Sequence, residues 1–247
     1  MNRWRIVDKT WCLWPPRPKG LIEVIGGSYL SASPHISYRK LLEEISKENI
    51  AIHAWTYLPR LDHQKLSNEA WQDFKGCRRK LEKRVGSLPP PIKLGHSLGC
   101  KLHLIAPDSG RNSSSLVALS FNNFSANKSI PLLAEITPKL HLRSEFLPSP
   151  RETMKIILEH YIQPRNLLIS FKEDKLDESS YLLEYLQNRP IDDYSQKIDF
   201  RGSHLTPVSY GLREKLLGNF AKGKHKKHQI LQIGKVIRNW IKDELGP

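Results

Sequence analysis

The apolar positions of this chain fall into two alternating rhythms. Short unbroken apolar runs bounded by Gly and Pro read as strands buried on both faces: Leu21–Ile25, Ile50–Tyr57, Pro91–Leu94, Leu116–Phe121, Asn166–Phe171 and the shorter Lys197–Phe200, after an N-terminal strand region from Arg5 to Trp14 that Pro15-Pro16 closes. Between them the apolar residues recur at three- and four-residue spacing, the mark of an amphipathic helix. Tyr38–Glu48 carries Leu41, Leu42 and Ile45 on one face, and Ser67–Val85 carries Trp71, Phe74 and Leu81. Cys100–Ala106, Glu178–Gln187 and Val208–Ala221 complete the set. Strands alternating with helices predict an α/β fold, a mostly parallel central sheet with helices on both faces.

The rhythm breaks once. Residues 122–164 hold Pro131, Pro138, Pro148 and Pro150 and one helical stretch from Glu152 to Tyr161, and read as a cap insertion over one end of the sheet. The chain then divides into an α/β domain over residues 1–221 and a basic segment over 222–247. That last segment runs from Lys222-Gly223-Lys224-His225-Lys226-Lys227-His228 into Ile230, Ile233, Ile237, Trp240 and Ile241 at helical spacing. Two readings stand for it: a terminal helix packed on the sheet, or a basic amphipathic helix in peripheral contact with an anionic membrane surface.

Composition narrows the class. The 247 residues are 39% hydrophobic, enough for one large domain with a substantial core, and no apolar run is long enough to span a membrane. The N-terminus lacks an apolar signal-type stretch, so a cytoplasmic or plastid-stroma-like location is expected. Cys12, Cys77 and Cys100 have no metal-type spacing and are expected as reduced thiols, Cys100 as a small core residue. Neither metal nor cofactor is called for. The net charge of +14 suits anionic partners or a solvated basic surface, but no helix-turn-helix, zinc-finger or RNP pattern supports specific nucleic-acid binding. Composition leaves the oligomeric state open.

Gly95-His96-Ser97-Leu98-Gly99 matches G-x-S-x-G. In that pattern a tight strand-to-helix turn lifts a serine out of the sheet, and the next backbone amide faces the reacting oxygen. The context is right: the strand at Pro91–Leu94 precedes it, after the breaker Pro89-Pro90-Pro91, and a helix follows. A serine hydroxyl needs a base to take its proton and donors to hold the oxyanion. In this arrangement the acid and the histidine follow later strands, in that order. Asp174, three residues past the strand ending at Phe171, is the first candidate acid; Asp177 is the alternative and equally a helix N-cap. Among the three histidines downstream, His225 and His228 lie in the lysine cluster. His204, in Gly202-Ser203-His204-Leu205-Thr206-Pro207 after the strand ending at Phe200, is the expected general base. The oxyanion donors are expected to be the Leu98 amide and, from the loop Gly26-Gly27-Ser28-Tyr29, that of Ser28, with Tyr29 as the alternative. His96 is expected to pack or hydrogen-bond locally with no catalytic role, and His53, His141 and His160 to be structural or surface residues.

These segments resemble the α/β-hydrolase superfamily. More narrowly, Ile25-Gly26-Gly27-Ser28 with Tyr38-Arg39, the elbow, Ser120-Phe121-Asn122-Asn123, Phe171-Lys172-Glu173-Asp174 with Leu176-Asp177-Glu178, and the His204 loop resemble a domain-of-unknown-function family, number thirteen-fifty, of cyanobacteria and plant plastids. The resemblance implies the fold, the triad positions and a photosynthetic lineage, and no substrate. The residues predict acyl transfer on a small-molecule or lipid ester, or a thioester, with Ile130, Leu132, Leu133, Leu140, Phe146 and Leu147 offered as an apolar pocket lining. The competing expectation is a catalytically silent scaffold that binds or assembles an anionic partner.

Overall fold

The computed structural model describes residues 3–126, 145–209 and 225–245, and in the last stretch the side chains of residues 228–243. Eight strands form one sheet: β1 (Trp4–Val7), β2 (Thr10–Leu13), β3 (Gly20–Ile25), β4 (Ile50–Trp55), β5 (Ile92–His96), β6 (Ser115–Leu119), β7 (Asn166–Phe171) and β8 (Gln196–Phe200). They lie in the order β1-β2-β4-β3-β5-β6-β7-β8. β1 and β2 pair antiparallel, β2 meets β4 antiparallel, and every other pairing is parallel. The N-terminal strand region is therefore a hairpin: it turns at Asp8, whose φ of 52° is a left-handed conformation that Asp tolerates.

From β3 the chain first moves outward to β4, then returns to β5 on the other side. This reversal is a topological switch point, where the loops after two neighbouring strands diverge and leave a crevice at their carboxyl ends. The loops after β3 and β5 are the Gly26-Gly27 loop and the elbow.

Helices cover both faces, because successive residues of a buried strand point to opposite sides. On one side, after the single-turn α1 (Pro34–Ser37), α2 (Arg39–Ser46) and the C-terminal α7 (His225–Leu245) pack Leu41, Leu42, Ile45, Ile233, Ile237 and Ile241 against Ile22, Val24, Ile92, Leu94 and Val117. On the other, α3 (His63–Val85), α4 (Leu98–Leu104), α5 (Pro150–His160) and α6 (Ser179–Gln187) complete the core. α3 starts a full turn before the expected Ser67 because the Asp62 carboxylate accepts from the Lys65 amide and caps it.

α7 packs on the sheet, as the first of the two readings of the tail expects. Ile230, Ile233, Ile237, Trp240 and Ile241 are buried in the sheet-facing core. The Trp240 indole donates to Ser115 Oγ at 3.1 Å, and Arg238 and Lys242 pair with Glu44 and Glu48. The apolar face is spent inside the protein, leaving the polar face outward. Among the described residues no helix is long and apolar enough to cross a membrane. The helix expected over Val208–Ala221 lies, beyond Ser209, outside the described residues, as do Ile130, Leu132, Leu133, Leu140 and His141.

The α3/α4 face also buries charge. His53, Glu23 and Lys93 sit side by side on β4, β3 and β5, and Lys93 Nζ makes a two-oxygen ion pair with Asp108 at 2.7 and 3.0 Å. Glu23 stands outside that pair. Burial lifts its carboxyl from 4.5 to about 7, against the pull of Lys93 and Arg78. A carboxyl raised by folding holds its proton more tightly in the folded chain. Its contribution to stability is complete below 4.5 and disappears as pH rises through 7. Glu23→Gln is therefore expected to flatten the stability profile across this window and to gain on the order of 3 kcal/mol above it. Chemical denaturation at a series of pH values reads this directly; a variant profile parallel to the parent's would contradict it.

Candidate active site

Ser97 lies at the carboxyl end of β5, one residue before α4 begins. Its φ of 55° and ψ of −124° place it in a region that L-residues rarely occupy, a strain of about 1–3 kcal/mol that surrounding structure must hold. Two backbone bonds hold it: the Ser97 amide donates to the Leu119 carbonyl at 3.0 Å, and the Cys100 amide donates to the Ser97 carbonyl at 3.0 Å. The flanking glycines are steric necessities. A Cβ on Gly95 would stand 2.5 Å from Cys100 Cα, and one on Gly99 would stand 1.9 Å from the Ile25 carbonyl oxygen. Ser97 itself is 9% exposed. Its Oγ accepts from Asn122 Nδ2 at 3.0 Å, a partner that sequence reasoning missed, although Asn122 lies three residues past the neighbouring β6 strand.

Asp174 and His204 are brought together. His204 Nδ1 and Asp174 Oδ2 are 2.8 Å apart, with the carboxylate side chain 1% exposed and the imidazole 19%. The other carboxylate oxygen, Oδ1, accepts from the Leu176 amide at 2.9 Å. Burial alone would raise the Asp174 carboxyl, but the hydrogen bond and charge of His204, with the Leu176 amide, outweigh it and hold the group below its usual range. Asp177 is engaged elsewhere: its Oδ1 accepts from the Ser179 amide at 2.9 Å and from Ser179 Oγ at 2.5 Å, at the start of α6. Among the described residues no hydrogen bond joins Ser97 to His204; the Ser97 hydroxyl rests on Asn122 instead.

The loop after β3 approaches the elbow closely. A Cβ on Gly27 would stand 3.2 Å from Ser97 Cβ and 3.2 Å from His96 Nδ1. The Gly27 amide donates to the Tyr38 hydroxyl at 2.9 Å, and the next amide along the chain is that of Ser28. Tyr29, at φ 61°, opens a short 3-10 turn and is 74% exposed.

His96 departs from expectation. Its bonds are not local: one ring nitrogen meets the Tyr38 hydroxyl at 2.8 Å, the other the backbone carbonyl of His204 at 2.9 Å. Cys100 is fully buried, its thiol donating to the Leu119 carbonyl and pushed up by burial, as suits a core residue. His53 is buried, accepting from the Trp14 indole at 2.9 Å, while His160 and His228 are exposed. Among the described residues no three or more His, Cys, Asp and Glu side chains converge as a metal site would.

The sequence profile of a family described as "Protein of unknown function (DUF1350)" matches residues 3–243, nearly the whole chain. The chain belongs to the DUF1350 family. Among curated proteins no sequence matches this DUF1350 chain. Its backbone is similar to that of a monoacylglycerol lipase from Paleococcus ferrophilus, with a TM-score of 0.60 at 14% identity over 95% of this chain and 99% of that one. It is also similar to carboxyl esterase 2 from the mycorrhizal fungus Tuber melanosporum, with a TM-score of 0.62 at 15% identity over 93% and 81%. The esterase domain of a Rhodothermus marinus protein matches with a TM-score of 0.57 at 12% identity over 96% and 93%. At these identities the likeness establishes the fold, and this DUF1350 chain has the α/β-hydrolase fold.

Proposed function

We propose that this protein is a serine hydrolase that transfers the acyl group of an ester or thioester to water. The observation that carries the proposal is the half-buried His204–Asp174 pair at 2.8 Å, on loops after β8 and β7, at the same end of the sheet as a serine in a strained elbow. Ser97 Oγ attacks the carbonyl carbon, and His204 Nε2 takes the hydroxyl proton. That requires the Nδ1–H tautomer, which the Asp174 carboxylate selects by accepting from Nδ1. His204 then protonates the leaving group, and in the second half it takes a proton from the water that attacks the acyl-enzyme. The oxyanion donors are the Leu98 amide, free of an intrahelical partner at the start of α4, and the Ser28 amide, with Tyr29 as the alternative. Asn122 adds a feature of this chain. Its side-chain amide can only donate through nitrogen, so Ser97 Oγ accepts, and the serine proton is left to point at a base.

The acyl group is apolar. At the carboxyl ends of the strands, Leu58 is 67% exposed, and Leu61 and Leu147 are joined through the Leu147 amide to the Leu61 carbonyl. Phe146 stacks on His63 beside them at 4.2 Å. The middle of the expected cap, residues 127–144, lies outside the described residues. The second reading, a silent scaffold, draws on the absence of a Ser97–His204 hydrogen bond among the described residues, although such bonds are often long before substrate binds.

Labelling with a fluorophosphonate probe followed by peptide mapping separates the two. The expected result is one modified residue, Ser97. A chain that takes no label, or takes it at another residue, is not the hydrolase proposed.

A further inference from the structure

Three of the four pieces of this site are joined by one buried chain of hydrogen bonds. The Gly27 amide donates to Tyr38 Oη at 2.9 Å, Tyr38 Oη meets His96 Nδ1 at 2.8 Å, and His96 Nε2 meets the His204 carbonyl oxygen at 2.9 Å. Each proton has one consistent place. A carbonyl oxygen only accepts, so His96 Nε2 carries a hydrogen. In a neutral imidazole Nδ1 must then accept, which makes Tyr38 the donor to it, and the tyrosine oxygen is left to accept from Gly27. Burial, then the neighbouring His204, pushes the His96 imidazole down to about 3, so it is neutral at any working pH. Tyr38 and His96 are 1% and 0% exposed.

The steric surroundings agree. A Cβ on Gly26 would stand 2.4 Å from Tyr38 Cε2, so the tyrosine ring lies flush against the loop after β3. The Tyr38 and His96 rings meet edge-on at 5.6 Å, and the His96 and His204 rings are 4.9 Å apart. His96 is also covalently next to Ser97. β8, the strand before the His204 loop, is a sheet edge whose residues are exposed or half-buried, and the loop is otherwise anchored beyond His204, at buried Thr206 and Val208.

We infer that Tyr38 and His96 are positioning residues that set the spacing between nucleophile, general base and oxyanion loop by tying the His204 backbone and the Gly27 amide to the strand that carries Ser97. The inference rests on the reading of Ser97 and His204 as nucleophile and base. A base displaced by about 1 Å can cost 100-fold in rate, which is the scale at stake.

Two substitutions at His96 separate the ends of the chain. Asparagine places an acceptor near the old Nδ1 position and drops the bond to the His204 carbonyl; glutamine reaches the Nε2 position and keeps a donor to that carbonyl. Fluorophosphonate labelling rates, melting temperatures and amide hydrogen exchange are measured for the parent, His96→Asn, His96→Gln and Tyr38→Phe. His96→Asn is expected to label about 100-fold more slowly, with exchange over residues 202–206 accelerated about tenfold, and His96→Gln to recover to within about fivefold. Tyr38→Phe is expected to accelerate exchange over residues 27–31 and to slow labelling about tenfold. Unchanged exchange over 202–206 in His96→Asn overturns the inference whatever the labelling rates. Equal labelling losses in Asn and Gln variants of equal melting temperature overturn it too. A parent that takes no label at Ser97 while the exchange pattern holds sinks the hydrolase reading and leaves the tie between the three segments standing.

Discussion

Asp174→Asn is expected to lower kcat/KM on a p-nitrophenyl ester by about 10⁴-fold with the fold intact, whereas Asp177→Asn costs less than about tenfold. The difference follows from which atoms each carboxylate serves. Asp174 accepts twice, from the Leu176 amide at Oδ1 and from His204 at Oδ2. An asparagine that keeps its oxygen on Leu176 must turn its NH₂ toward His204 Nδ1. The imidazole then has to accept there and carry its hydrogen on Nε2, the nitrogen that should take the serine proton. The loss is one of tautomer rather than of packing, so the melting temperature moves little. Asp177 serves Ser179 alone, and asparagine keeps an Oδ1 that accepts from the Ser179 amide and hydroxyl, so the fold loses little. The pH profile carries a second signature. Asp174 is held low by His204, so its contribution to stability is present above the ordinary carboxylate range and is lost as pH falls through its folded value; the asparagine variant lacks that acid loss. Stopped assays across pH, paired with thermal melts, read both. A full-rate Asp174→Asn protein, or a larger loss in Asp177→Asn, would remove the acid assignment.

Sequence separation explains what was legible and what was not. β3, β4, β6 and β7 are buried on both faces, so their apolar runs stand out and their limits fall within a residue or two of the expected ones. The elbow is legible because its two glycines sit beside backbone atoms of Cys100 and Ile25 that allow no side chain, and such a constraint fixes residue type at a fixed spacing. Spacing from the strand ranks Asp174 ahead of Asp177 without excluding the latter, since both lie in the loop after β7; the 2.8 Å distance to His204 separates them. The Tyr38–His96–His204 chain left no local trace at all. Its members are 58 and 108 residues apart, and Tyr38 and His96 pass for ordinary core residues until the fold places them in line with His204. Asn122 was similarly hidden, as its role depends on β6 lying beside β5. The Lys93 charge in the middle of an apolar strand was the one polar residue within the expected β5 run whose partner the sequence did not reveal.

That charge is the site of the largest stability effect expected. Asp108→Ala should destabilise the protein by about 3–5 kcal/mol, because it leaves the Lys93 ammonium buried without its counter-ion. Lys93 and Asp108 side chains are 3% and 2% exposed, so water cannot replace the lost partner without opening the face between β5 and the segment after α4. Glu23 on the neighbouring strand offsets the loss only in part: removing Asp108 takes away a charge that raises its carboxyl, but burial, the largest cause, still opposes its ionisation. For a chain of this length the loss corresponds to a melting temperature lower by roughly 10 °C. Removing both charges should behave differently. In Lys93→Met with Asp108→Asn no uncompensated ion remains, the Gly110 amide keeps an acceptor, and most of the loss is recovered. The same double variant takes from Glu23 the cation that pulls its carboxyl down, so Glu23 stays protonated to higher pH and the stability profile shifts alkaline. Denaturant titrations of the parent, the single and the double variant at two pH values measure all three effects. A double variant as unstable as Asp108→Ala would show that the aspartate acts through the turn it closes at Gly110 rather than through the lysine.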